Sequence, residues 1–400
     1  MSSQPPLASQ PGRASLAGLY RRGLLEDTLP FWIRHGVDTQ YGGFHFSVDR
    51  DGRLVDSDKS VWLQARFIWL LCTLYHSVKP SREWLTLARD GLHFLRTHGF
   101  DKDGRMFFQL TREGEPIRKR RYVFSEMFTT MALAAYARAA GDEEARDQAT
   151  SLFRLVLHYL TTPELLPPKF TQIRPYKALA VPMMLIATAQ TLRSVSEDQD
   201  LCNLWIDRSI EEISRDFMHP EFAAVLENVG LNGEFHDHFD GRLLTPGHAI
   251  EAAWFILAEA EYRGAQELVR LGTKILDWMW DWGWDTAQGG LFYFRDVKGY
   301  PVQEYWADMK FWWPHTEAII ATLLAYQQTG NPKYAEWHQQ VHSWAYAHFP
   351  DTQYGEWFGY AHRDGSLASS AKGNLWKGAF HVPRMQLTCW RALEGGRLLG

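Results

Sequence analysis

The chain has 400 residues, 46% of them hydrophobic, enough to bury a large core in one domain or in several. A formal net charge of -5, with no block of five or more like charges, argues against nucleic acid or an anionic membrane as a partner. Three scattered cysteines without CxxC spacing indicate neither a disulfide framework nor a zinc site.

Residues 1–14 are rich in Ser, Pro and Gln and lack the apolar segment of a secretory signal, so they read as a flexible tail before a single domain over 15–400. With no apolar run long enough to cross a bilayer, a soluble, cytoplasmic protein is expected. Hairpin signatures then recur: YGGFHFSVDRDGRLV from Tyr41, GRMFFQLTREGEPI from Gly104, GGLFYFRDVKGYPV from Gly289 and YGEWFGYAHRDGSL from Tyr354. Each alternates as a strand does and turns at DG, EG or KG. NGEFHDHFDGRLL from Asn232 is a looser copy. The short basic run Arg118 to Arg121 reads as a solvated loop.

After each hairpin an apolar helix is predicted, starting near Ser60, Val123, Lys177, Gly247, Phe311 and Gly378, at intervals of 63, 54, 70, 64 and 67 residues. More polar amphipathic helices lie between them, over 81–97, 143–160, 201–217, 266–279 and 332–348. Six two-helix units that cannot bury both faces alone predict an all-α (α/α)6 barrel of twelve helices, apolar helices inside, β-hairpin loops at one mouth. A (β/α)8 barrel would need parallel strands apolar on both faces, and these strands are polar on one.

If the hairpins gather at one mouth, the first turns of the six inner helices ring one cavity. Those turns carry Arg66 in KSVWLQAR, Ser125 and Glu126, Arg174 and Lys177, His248 and Glu251, Trp313, His315 and Glu317, and Trp376, His381 and Arg384. A lone histidine here reads equally well as a satisfied core residue. Two histidines, two glutamates and an arginine at equivalent positions of different repeats point to a functional cavity, because unpaired buried charges are costly. The 18 tryptophans furnish a core and also faces for sugar rings.

At these residues the chain resembles the N-acylglucosamine 2-epimerase family over nearly its whole length. DKSVWLQAR, RPYKALAVPMM, TPGHAIEAAWF, GGLFYF, KFWWPHTEA, YGEWFGY and WKGAFHVPR carry the likeness. The resemblance implies an (α/α)6 barrel, His248, His381, Arg66 and Glu317 as catalytic residues, and Glu251, Trp313 and Trp376 lining a sugar site. It also implies an amino-sugar substrate, a homodimer and no metal. Family members often need ATP as an allosteric activator. Here ELLPPKFTQI, before RPYKALAVPMM, lacks the glycines that let backbone amides approach phosphates, so weak or no activation is expected, with Arg174 and Lys177 left as phosphate contacts. Cellobiose epimerases of the family carry a third histidine where this chain reads ALAVPMM, which favours the amino-sugar branch.

The implied chemistry interconverts N-acetyl-D-glucosamine and N-acetyl-D-mannosamine. The ring opens, one histidine removes the C2 proton and the other returns one to the opposite face, while Arg66 stabilises the enediolate. Glu317 would orient and polarise a histidine or help with ring opening, and Glu251 would hold substrate hydroxyls. Three other readings stand beside this one: epimerisation of a neutral sugar on the same barrel, an inverting glycoside hydrolase with two carboxylates roughly 6.5–9.5 Å apart, and a non-catalytic protein-binding module.

Overall fold

Helical structure begins at Gln10, where the Ser9 side chain accepts a hydrogen bond from the Gly12 amide and Pro11 supplies a pre-set φ in the first turn. In this computed structural model, which describes Leu7 and residues 9–162, 164–167, 169–170 and 173–396, α1 (Gln10–Arg22) runs through a π-helical segment (Gly23–Thr28) into α2 (Leu29–Gly36) with helical dihedrals throughout. The three form one rod. The expected tail over 1–14 is therefore too long: residues 10–14 are helical, and 1–6 and 8 lie outside the described residues.

The helices that follow are α3 (Val61–Ser77), α4 (Arg82–His98), α5 (Phe124–Ala140), α6 (Glu143–Thr161), α7 (Ala180–Arg193) and α8 (Gln199–Glu212). Then come α9 (Pro246–Arg263), α10 (Gln266–Gly283), α11 (Trp312–Thr329), α12 (Pro332–His348) and α13 (His381–Leu393). With the first rod they make, among the described residues, the twelve expected helices. Glycines in the left-handed conformation, Gly141, Gly264 and Gly330, end α5, α9 and α11, where a side chain would strain the backbone.

The odd-numbered helices from α3 to α13 pack each against the next and form the inner ring. α4, α6, α8, α10 and α12 each lie outside the inner helix that precedes them in sequence, and α1 lies outside α13. Burial explains the sorting. α9 and α11 bury residues on every face, whereas α10 buries one stripe including Val269, Leu276 and Met279. Between the two ends of the chain the ring closes through α13 against α3, with the Phe380 and Trp69 rings 5.6 Å apart.

Every strand pairing among the described residues is antiparallel and short, and a (β/α)8 barrel is absent among them. The hairpins from Tyr41 and Gly104 form as expected, pairing 47–48 with 54–56 and 107–110 with 116–119. The segment from Gly289 departs from its reading: 295–296 pairs with 243–244 of the preceding unit. Likewise 360–361 pairs mainly with 310–311, and 107–110 also takes 59–60. Thus the strand leading into an inner helix is covered by the hairpin of the next unit, a partner that local alternation cannot reveal.

Three buried clasps reinforce these joints. Asp38 accepts from Lys59 (2.9 Å) and from Nε and Nη2 of Arg112 (both 3.0 Å). Asp285 accepts from Lys310 (3.1 Å) and Arg363 (2.7 Å), and Asp351 from Lys372 (3.0 Å) and Arg50 (2.7 Å). Each arginine precedes an acidic-Gly turn whose glycine has φ between 84° and 102°, so the turn aims the guanidinium at the aspartate of the preceding unit. Arg50 and Asp351 join the first unit to the last. Burial works against these carboxylates, but the cations and amides around Asp38, Asp285 and Asp351 hold their pKa well below the usual range.

Candidate active site

A cavity of about 920 Å³ opens within the inner ring, lined among others by Arg66, Glu227, His248, Glu251, Trp313 and His381. His248 sits in the first turn of α9 because Pro246 starts that helix, and its Nδ1 lies 3.0 and 3.1 Å from the carboxylate oxygens of Glu227. A carboxylate only accepts, so Nδ1–H donates and Nε2 is left toward the cavity. Burial alone would lower the pKa of His248; Glu227, with help from Glu251, reverses the sign and raises it.

His381 is the first residue of α13, and its Nδ1 donates to Glu317 Oε1 at 2.8 Å. Here the shift runs the other way. Burial, then the charges of Arg384 and Arg66, push His381 well below the ordinary imidazole value. The Trp313 ring touches both histidines, 5.2 Å from the His248 ring and 5.8 Å from that of His381. The separation of the imidazoles is bounded by the sum of those distances. That is within the roughly 12 Å that a sugar carbon and two hydrogen-bond contacts can bridge.

Behind the histidines Arg384 joins both glutamates, at 2.6 Å from Glu251 and 2.7 Å from Glu317. Glu317 is fully buried, accepts from Trp254 Nε1 (2.7 Å) and does not line the cavity. It meets the cavity through His381 and Arg384, a place that suits the orienting of a histidine expected of it from the sequence. Donor atoms of Glu251, Glu317 and His381 converge within 4.8 Å of one another, the spacing of a metal site. Arg384 Nη2 lies within 3.3 Å of all three residues, so the guanidinium supplies the cation there.

Arg66 projects from α3, its guanidinium 4.0 Å from the Phe128 ring and 4.7 Å from that of Phe380. Its Nε has no hydrogen-bond partner among the described residues. Burial lowers its pKa to about 9, which leaves it a cation at neutral pH. Trp376 stands on the rim, 44% exposed, against Trp62 and Phe108. Arg120, from the basic run read as a solvated loop, is half-buried and stacks over Phe108 and Trp376.

Several candidates fall elsewhere. Lys177 lines the cavity edge but is held by Glu212 (2.9 Å) and Asp216, and Arg174 lies against His238 (2.6 Å). These pairings bring the two no closer to a shared phosphate. Part of ELLPPKFTQI, residues 168, 171 and 172, lies outside the described residues. His315 turns into the core, bonded to Leu291 N and Phe311 O, and burial drops its pKa to about 3. Glu126 is taken by Arg105 at 2.5 Å.

Reading first helical turns alone passed over Glu227 and Tyr293, which reach the cavity from the loops between helices, and Lys169, from the connection before α7. Only Tyr293 had a signal, the aromatic alternation of GGLFYF. No helix among the described residues is long and apolar enough to cross a membrane, and all three cysteines are free and buried.

Comparison with known proteins places this geometry. Residues 42–382 match the family described as N-acylglucosamine 2-epimerase (GlcNAc 2-epimerase). The N-acylglucosamine 2-epimerase of Bos taurus is 37% identical over 92% of this chain and 89% of its own. That of Homo sapiens is 36% identical over 91% and 87%. The structure of cellobiose 2-epimerase from Bacillus thermoamylovorans B4167 superposes with a TM-score of 0.83 at 20% identity, covering 96% of this chain and all of that one.

Proposed function

The chain belongs to the N-acylglucosamine 2-epimerase family, and from that premise we propose that it interconverts N-acetyl-D-glucosamine and N-acetyl-D-mannosamine. One observation carries the reading: two imidazoles line one cavity, each beside Trp313 and each with Nδ1 fixed by a carboxylate, and their pKa values are shifted in opposite directions. A two-base epimerase needs one protonated and one neutral histidine at neutral pH.

In this reading the opened sugar presents C2 between the histidines. Neutral His381 takes the C2 proton, and the electron pair left behind forms the C1–C2 double bond as the aldehyde oxygen gains charge. Arg66, held by aromatic faces in a water-poor site, stabilises that enediolate oxygen. His248, protonated through Glu227, then donates to the opposite face of C2. The reverse reaction runs through the form with the two protons exchanged.

An inverting hydrolase fits less well, because Glu251 and Glu317 are bound to one guanidinium with their donor oxygens within 4.8 Å, short of the roughly 6.5–9.5 Å that admits a water. Among the described residues α7 places no titratable side chain in the cavity; this supports the amino-sugar reading over the cellobiose one. The proposal extends to a cytoplasmic homodimer with no metal in the chemistry. Proton NMR of the protein with N-acetylmannosamine in deuterated water tests it. N-acetylglucosamine should appear with deuterium at C2; turnover of mannose or cellobiose but not the amino sugar would overturn the substrate assignment.

A further inference from the structure

The six inner helices contribute unequally to the cavity wall. α3, α9, α11 and α13 present Arg66, His248, Glu251, Trp313, His381 and Arg384, whereas α5 and α7 present apolar side chains throughout. Phe124, Phe128 and Met131 come from α5; Val181, Met184 and Ala187 come from α7. The charges on this side, Lys169 and the Lys177–Glu212 pair, lie outside both helices, Lys177 and Lys169 in the connection before α7 and Glu212 at the end of α8. One side of the cavity is therefore reactive and charged, and the other, beyond the Phe128 face on which the Arg66 guanidinium stacks, is an apolar arc about two helical turns deep.

An amino sugar has one apolar appendage, the acyl chain, and it hangs from C2. In the 2-epimerase reading, on which this inference rests, C2 lies between the imidazoles, so the acyl group starts within a bond or two of the reacting carbon and must meet some part of the wall. Against Arg384 or Glu251 it would strip water from ions and return nothing. Against the arc it loses its own contact with water at a gain. The space also exceeds what acetyl fills: about 920 Å³ is near the top of the roughly 300–1,000 Å³ range of pockets for drug-sized ligands.

We infer that the arc of α5 and α7 is the acyl-binding face, that the protein accepts N-acyl chains longer than acetyl, and that Met131 and Met184 set the length limit. Methionine suits this role, since its unbranched thioether repacks around chains of different shape. Each methylene buried there should tighten binding about fourfold, the equivalent of about 0.8 kcal/mol. The arc touches the acyl chain equally in ground and transition states, so the gain appears in KM and not in kcat.

The test is steady-state epimerisation of N-acetyl-, N-butanoyl- and N-hexanoylglucosamine by the full chain. N-butanoylglucosamine should show a lower KM than the acetyl compound at a similar kcat. Met184→Phe and Ala187→Met, which fill the arc from α7, should each lower the butanoyl-to-acetyl ratio of kcat/KM about tenfold or more, while Met131→Ala should raise the hexanoyl-to-acetyl ratio. A ratio of two substrates on one sample does not depend on the fraction folded, so an unstable variant still reports. Butanoyl turnover more than about tenfold poorer than acetyl in the unmodified protein, or ratios unmoved by all three variants, overturns the inference and leaves the epimerase intact. Failure on the acetyl compound itself overturns both.

Discussion

His248 and Glu227 meet at the cavity edge with Nδ1 3.0 and 3.1 Å from the two carboxylate oxygens, a contact between a helix start and a loop residue 21 positions earlier. It favours the protonated form of His248, where burial alone would favour the neutral one. Glu227→Gln keeps the shape and removes the charge, so the alkaline limb of the rate profile should move to lower pH. Turnover should fall, by up to the roughly 10²–10⁴-fold that a positioned acid or base contributes. A limb that stays in place would show that Glu227 does not set the ionisation of His248.

The opposite shifts of the histidines give a pH profile with a wide plateau. Activity needs His381 neutral and His248 protonated, so it is lost on the acid side only below the ordinary imidazole value and on the alkaline side only above it. The reverse direction uses the exchanged form, whose fraction is constant between the same two limits. A narrow bell centred on pH 6.5 in either direction would contradict the assignment.

Two bases on opposite faces of C2 cannot substitute for each other. His248→Asn and His381→Asn should each lose epimerisation by about a hundredfold or more. One variant should still exchange the C2 proton of N-acetylglucosamine with deuterated solvent and the other that of N-acetylmannosamine, unless one histidine also opens the ring, in which case its variant is silent for both. Either variant turning over at the unmodified rate makes that histidine structural.

Arg66 is held among the described residues by aromatic faces and not by an ion pair. Arg66→Lys keeps the charge but loses the planar fork that stacks on Phe128 and Phe380, so activity should drop substantially while the thermal transition stays close to that of the parent. A core salt bridge would give the reverse, with stability lost and turnover kept.

Three buried histidines outside the cavity make stability fall as pH drops. Burial lowers His315 to about 3, His338 to about 4 and His342 to about 3. In the unfolded chain each takes a proton near pH 6.5. Between pH 6.5 and their folded values the unfolded state therefore binds more protons, and stability falls as pH drops, by up to about 1.4 kcal/mol per pH unit for each histidine. Denaturant unfolding followed from pH 7.5 to 5 reads this, and a flat curve through pH 6 would show that the buried histidines are not neutral in the fold.

Lys177 is pinned by Glu212 and Asp216, and Asp216 also holds Arg215. ATP should therefore leave the epimerisation rate unchanged, as measured by adding it to the NMR assay. Strong activation at sub-millimolar ATP would mean that phosphates bind without this lysine.

The twelve helices and their inner and outer sorting could be read from the sequence because each unit repeats one pattern of burial: α9 and α11 apolar all round, α10 on one stripe. His248, Glu251, His381 and Arg66 were legible for the same reason, since charges in apolar first turns stand out. Glu227 was not, because AVLENVG reads as an ordinary strand edge until the fold carries it to α9. Glu317 stood out for its place one turn into α11, but only the fold shows that its carboxylate lies behind His381 and not on the cavity wall. The pairing of 295–296 with 243–244 escaped too, because alternation fixes which residues face inward and says nothing about which strand lies alongside.

The Arg50–Asp351 clasp spans 301 residues of chain, and with α1 against α13 it bears on how the molecule is made. A protein synthesised from its N-terminus can assemble its early helix pairs as they emerge, since those contacts are local. The last inner helix carries His381 and Arg384, so a nascent chain has neither catalytic pair nor closed wall until that helix has emerged. Until then the inner faces of α3 and of the first rod are uncovered apolar surface, a natural binding place for a chaperone. A circular permutant with its ends moved to an exposed turn would make this same joint an early, local one, and should refold faster without changing what the finished site does.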